Sequence, residues 1–146
     1  MRVYISGALM NARKIDESRA LYERFAAACR HAGWEAYVPH QHADPVRDPE
    51  MPNTEVASRD LDQIASAQAL VAYVGEPSLG VGAEIAIALA SGKRVLLLAE
   101  HDRRVSRFLL GLAELKPAAA SVCRYRTVEE AAAWISRTLG ATSALP

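Results

Sequence analysis

The sequence predicts a three-layer α/β sandwich, flavodoxin-like or Rossmann-like, with about five parallel strands in the order 2-1-3-4-5. Two observations carry this expectation. Short apolar runs of strand character alternate along the chain with segments of helical period. Two of those runs, ALVAYV from residue 69 and VLLLA from residue 95, are apolar at every position, as strands covered on both faces are. The 146 residues are 51% apolar, so a sizeable core forms without metal or disulfide support. No repeat, low-complexity block or linker interrupts the alternation. Residues 1–140 therefore read as one domain and 141–146 as a flexible tail.

The elements follow in order. Residues 2–6, with VYIS after Arg2, read as a buried strand. A helix is expected over 14–32, where Ile15, Tyr22, Phe25, Ala26 and Cys29 recur at spacings of three and four. Asp16 and Glu17 suit its first turn and Gly33 its end. A short strand over 34–38 precedes PHQHADPVRDPEMPN, a proline-rich stretch read as a long irregular loop, functional or mobile. Next come a helix over 54–67 with Thr54 as N-cap, a strand over 69–74 and a glycine-rich loop over 75–82. A helix then runs to Ser91 and ends at Gly92. A strand over 95–99, a mostly helical stretch over 103–115, a strand over 119–124 and a helix over 127–139 capped by Thr127 complete the chain.

Composition narrows the function. Lys plus Arg and Asp plus Glu each number 17, so net charge is zero. That balance gives no field for gripping a nucleic-acid polymer or an anionic membrane, but it leaves room for a local anion site. Cys29 and Cys123 lie far apart in apolar contexts and read as buried thiols. No apolar run approaches the roughly 20 residues that cross a bilayer. These features predict a cytoplasmic protein acting on a small molecule.

In the expected strand order, ligands bind beyond the carboxyl ends of strands 1 and 3, where the chain direction switches. Two loops meet there, Ser6-Gly7-Ala8-Leu9-Met10-Asn11 and Gly75-Glu76-Pro77-Ser78-Leu79-Gly80-Val81-Gly82. In the second, glycines let amides approach an anion, Ser78 adds a hydroxyl, and a helix N-terminus follows. Glu84 falls in the first turn of that helix among apolar neighbours, where the dipole and nearby amides should lower its pKa. An ionised carboxylate beside an anion cradle suits attack on an electron-poor sugar carbon. Asp60, four residues after Val56 on the preceding helix, offers a second carboxyl group for proton management, with Asp62 the more solvated neighbour. Tyr4, near the end of strand 1, could place its phenol between them. His40 and His42 supply two nitrogens without clear further ligands, so no metal is expected. Arg103 and Arg104 read as a solvated helix start whose charge would help recruit a phosphate.

The stretch around Asp60 through Glu84, RDLDQIASAQALVAYVGEPSLGVGAEIAIA, resembles the 2′-deoxynucleoside 5′-phosphate N-hydrolases of the nucleoside 2-deoxyribosyltransferase superfamily. VYISG and KRVLLL resemble the first and fourth strands of that family, and VSRFLLG its segment whose serine reaches a phosphate. The resemblance implies hydrolysis of the N-glycosidic bond of a (2′-deoxy)nucleoside 5′-monophosphate, without cofactor. It implies Glu84 as nucleophile, Asp60 as acid/base and Tyr4 as the tyrosine orienting the nucleophile. Ser78 and Gly80 match phosphate contacts, and Ser106 matches one donated by a neighbouring subunit, so a homodimer with shared sites is implied. Gly7, Leu9, His40, Val56 and Phe108 match sugar and base contacts. The chain departs from the pattern after Gly7, where those hydrolases carry a serine, an arginine and further glycines. Here stand Ala8-Leu9-Met10-Asn11, with Asn11 or Arg13 available to compensate. Three alternatives stay open: a nucleoside 2-deoxyribosyltransferase, a ribonucleotide (CMP-type) N-glycosidase, and a nucleotide-binding module without catalysis.

Overall fold

Five parallel strands form one sheet in the order β2-β1-β3-β4-β5 in a computed structural model that describes residues 1–9 and 14–140. The strands are β1 (Arg2–Ser6), β2 (Glu35–Tyr37), β3 (Ala69–Tyr73), β4 (Arg94–Glu100) and β5 (Ala120–Tyr125). The helices are α1 (Ile15–His31), α2 (Asn53–Ser66), α3 (Leu79–Ala90), α4 (Arg107–Leu115) and α5 (Val128–Gly140). The predicted sandwich and strand order are the observed ones. The expected tail over 141–146, like Asn11 and Arg13, lies outside the described residues.

Side-chain alternation explains the unbroken apolar runs. Val3, Ile5, Val71, Tyr73, Leu96 and Leu98 pack on one face with Tyr22, Phe25 and Cys29 of α1 and Ile135 of α5. Tyr4, Leu70, Ala72, Val95 and Leu97 pack on the other with Ile64 of α2, Ile85 of α3 and Ala113 of α4. A strand buried on both faces has no polar alternation to display. The register pairs Tyr4 with Leu70 and Ser6 with Ala72, so β1 and β3 end side by side.

Several boundaries move, each for a local reason. Two hold: Gly33 and Gly92 follow their helices as expected, with φ of 83° and 71°, left-handed conformations that glycine adopts without steric cost. Thr54 is not the cap of α2, which starts one residue earlier with Pro52 in the capping position. α3 starts at Leu79 rather than after Gly82, because the Ser78 hydroxyl accepts the Val81 amide at 3.3 Å. α4 begins only at Arg107. Thr127 caps α5 as expected: its Oγ1 accepts the Glu130 amide at 3.2 Å, and Glu130 Oε2 accepts the Arg126 amide at 2.8 Å. The stretch after β2 is more built than predicted. It opens with a 3-10 turn over Pro39–Gln41 and is anchored at Asp44, whose side chain is fully buried against Arg19.

Candidate active site

The alternation of β1 turns Tyr4 and Ser6 toward α3, and both are 0% exposed. Glu84 stands one turn beyond the start of that helix. The Tyr4 phenol donates to its Oε1 at 3.0 Å, and the Ser6 hydroxyl donates to its Oε2 at 2.5 Å. Asp60 comes from α2, which packs beside β1 and α3. Its Oδ1 is buried without a hydrogen-bond partner. Burial holds the Asp60 carboxyl above the usual carboxylate range, against the Tyr4 hydroxyl and the Arg59 charge that lower it. The Tyr4 phenol is pushed far up by burial first, then by the charges of Glu84 and Asp60, so it keeps its proton.

The expected pKa shift of Glu84 has the wrong sign. Burial pushes its carboxyl up to about 7, outweighing the bonds from Ser6 and Tyr4, and the nearby Asp60 charge adds to the rise. Burial sets the sign, and the helix boundary removes the effect expected to oppose it. Because Ser78 starts the helix early, Glu84 lies beyond the first turn, where the dipole acts most strongly. Two carboxyl groups with raised pKa flank one phenol, and the Glu84 carboxyl stands near its ionisation point at neutral pH.

Both carboxyl groups line a cleft of about 1310 Å³ at the carboxyl ends of the strands, with Gly7, Leu9, Val56, Ser78, Gly80, Ser106 and Phe108 also on its wall. Ser78 accepts one amide and retains its own O–H for a ligand. A Cβ at Gly82 would meet nothing within 4 Å, and one at Gly80 only the Ser78 Oγ at 3.9 Å, so the glycines leave the start of α3 open to the cleft. The observed arrangement is an uncovered helix N-terminus, where amides attract anions, rather than the predicted glycine loop. Arg104 is the one cationic side chain among the described lining residues.

The profile of the nucleoside 2-deoxyribosyltransferase family matches residues 3–136. The chain belongs to that family. A Thermofilum pendens protein that carries a 2′-deoxynucleoside 5′-phosphate N-hydrolase name is 36% identical over 116 residues, 77% of this chain and 78% of that one. The 5-hydroxymethyl-dUMP N-hydrolase of Rattus norvegicus is 31% identical over 117 residues, 77% of this chain and 70% of that one. The Clostridium botulinum CMP N-glycosidase BcmB has the same fold, with a TM-score of 0.72 at 21% identity, covering 94% of this chain and 99% of that one.

Within this deoxyribosyltransferase-family fold, the residues named from sequence divide unevenly. Tyr4, Asp60 and Glu84 converge. Ser106 lies on the cleft wall of its own chain, next to the exposed Phe108, while its expected place is a neighbouring subunit's site. Gly7 lines the cleft, yet its missing side chain serves the core: a Cβ there would lie 2.2 Å from the Tyr22 ring, whose hydroxyl binds the Ala8 carbonyl at 2.9 Å. His40 stands apart from the cleft. It is absent from the cleft lining, 6% exposed, and its Nε2 meets Glu23 Oε1 at 3.0 Å because the 3-10 turn directs it at α1. His42 also turns away and stacks on Tyr37 with ring centroids 4.8 Å apart. Ser6 was missed. Its two-residue offset from Tyr4 on a strand was the available signal, obscured by reading it as the start of a loop.

Proposed function

We propose that this chain hydrolyses the N-glycosidic bond of a 2′-deoxynucleoside 5′-monophosphate by double displacement, in the cytoplasm and as a homodimer with shared sites. The observation that carries the reading is the convergence of Glu84, Tyr4 and Asp60, with both carboxyl groups on a cleft that the open N-terminus of α3 also lines. The names of the relatives support the reaction class.

In this reading the phosphate rests on Ser78, the amide of Gly80 and Ser106, with Arg104 as counter-charge. Leu9, Val56 and Phe108 bracket the base. Ionised Glu84 attacks C1′ while the C1′–N bond breaks, and its electron pair leaves with the base, which takes the Asp60 proton. Water then adds to C1′ of the glycosyl ester, gives its proton to Asp60 and releases Glu84. The products are the free base and deoxyribose 5-phosphate. A 2′-deoxy sugar reaches the oxocarbenium-like transition state more readily, since no 2′-hydroxyl withdraws electrons from it. The exposed side chains of Leu79 and Phe108, at 96% and 72%, lie beside the cleft and suit burial by a second copy. The buried thiols of Cys29 and Cys123 suit a reducing compartment.

The test is chromatography of products with each deoxynucleotide, ribonucleotide and deoxynucleoside, with and without an added second base. Glu84→Gln is expected to lower turnover at least about 1,000-fold while substrate still binds. Undiminished base release by that variant refutes the assignment. A new nucleoside in the second-base arm would make the chain a transferase, and faster turnover of CMP than dCMP a ribonucleotide hydrolase.

A further inference from the structure

We infer that Ser6 is a dedicated positioning residue for the Glu84 carboxylate, holding Oε2 while the Tyr4 phenol serves both acids. The inference rests on the reading of Glu84 as nucleophile, and it begins with the count of protons. A phenol donates one hydrogen bond. Tyr4 gives its proton to Glu84 Oε1, yet it stands close enough to Asp60 for that charge to act on it, and Asp60 Oδ1 has no partner of its own. When Asp60 releases its proton to the leaving base, the new carboxylate competes for the same phenol. Glu84 then keeps one donor that no other acid shares.

That donor is built for the purpose. Ser6 is fully buried, and its strand neighbour in β3 is Ala72, so packing at this position asks for no hydroxyl. A buried hydroxyl without a partner costs stability, and the partner this one has is Glu84 at 2.5 Å. With Tyr4 on one oxygen and Ser6 on the other, rotation of the carboxylate is blocked and its plane is set toward the cleft. The groups facing Glu84 are few. Tyr4 and Ser6 come from β1 and Asp60 from α2, and the apolar cluster on this side of the sheet includes Ala72 of β3, Val74 just after it, and Leu97 and Ala99 of β4.

Ser6→Ala and Ser6→Cys test this in the full chain, by two readouts. The first is carbon-13 NMR titration of the Glu84 carboxyl, assigned by comparison with Glu84→Gln and needing no substrate. The second is the pH profile of kcat/KM for base release. Loss of a charge-assisted bond should move the Glu84 midpoint up by about one pH unit in Ser6→Ala, a tenfold loss of the ionised form below the midpoint. Ser6→Cys, with a weaker donor of similar volume, should move it about half as far, and it decides the matter alone if Ser6→Ala does not fold. The acid limb of kcat/KM should move with the midpoint, and activity should return toward wild type at high pH, which a merely structural defect would not allow. An unmoved midpoint in a folded variant overturns the inference. Wild-type protein that releases no base while the midpoint still moves overturns the hydrolase reading and leaves Ser6 as the carboxylate's anchor.

Discussion

Glu84 is asked to be buried and ionised at once, and its stability cost is measurable. Its carboxyl titrates at about 7 in the folded chain against an ordinary value of 4.5. Between those values the folded state binds the extra proton, so stability falls as pH rises through that window. At pH 8, Glu84→Gln is therefore expected to stabilise the chain by about 3 kcal/mol, a Tm increase of about 8 °C, and at pH 4 the gain should vanish. Scanning calorimetry at the two pH values checks this. The same titration sets the activity profile: kcat/KM should rise with pH through an acid limb near 7 as Glu84 ionises. Tyr4→Phe removes the phenol proton that both acids use, so it should lower kcat by about 10- to 100-fold and displace that limb upward. The carboxylates and the tyrosine were legible in the sequence because strand ends and one helix face place them. The sign of the Glu84 shift was not, because it depends on how deeply the folded chain buries the carboxyl, which outweighs the bonds from Ser6 and Tyr4.

Ser78 illustrates at the level of the element how one hydroxyl decides where a helix begins. By accepting the Val81 amide it brings Gly80 and Gly82 into the first turn of α3 and leaves other amides of that turn to an anion. Ser78→Ala should lower Tm by about 3 °C through the lost cap and raise KM for the monophosphate more than for the nucleoside. The segment after β2 was legible as a long loop by its prolines, but its order was not. It depends on a pairing 25 residues apart, in which Arg19 Nε and Nη2 grip both oxygens of Asp44 at 2.8 and 2.7 Å. Those bonds, led by Arg19 and joined by the Val46 and Arg47 amides, hold the Asp44 carboxyl down to about 2. Its stabilising contribution is thus complete above the usual carboxylate value and is lost as pH falls toward 2. Arg19→Ala leaves the buried Asp44 carboxylate without its counter-charge, held only by backbone amides, so Tm at neutral pH should drop by about 5 °C or more, with the cleft wall at Pro45 and Asp48 loosened and KM raised.

For the whole molecule, alternation of strand and helix gave the parallel sheet with helices on both faces, and a chain of this length with about five strands fits the observed order β2-β1-β3-β4-β5 among the few such sheets admit. Assembly is another matter: it depends on which exposed apolar side chains meet a second copy. If Ser106 serves a neighbour's cleft, mixing inactive Glu84→Gln with impaired Ser106→Ala protein should rebuild roughly a quarter of the sites, and activity should rise on mixing. Activity that stays at the sum of the separate variants assigns Ser106 to its own chain. The central claim is that Glu84 bonds to C1′ during turnover. Its most direct test is mass spectrometry after incubation with a 2′-fluoro-2′-deoxyarabinonucleoside 5′-monophosphate, whose fluorine slows breakdown of a glycosyl-enzyme. We expect the chain to gain the mass of the fluorinated sugar phosphate, with the adduct on the peptide that contains Glu84. Release of base with no adduct, or an adduct on another residue, would contradict the mechanism.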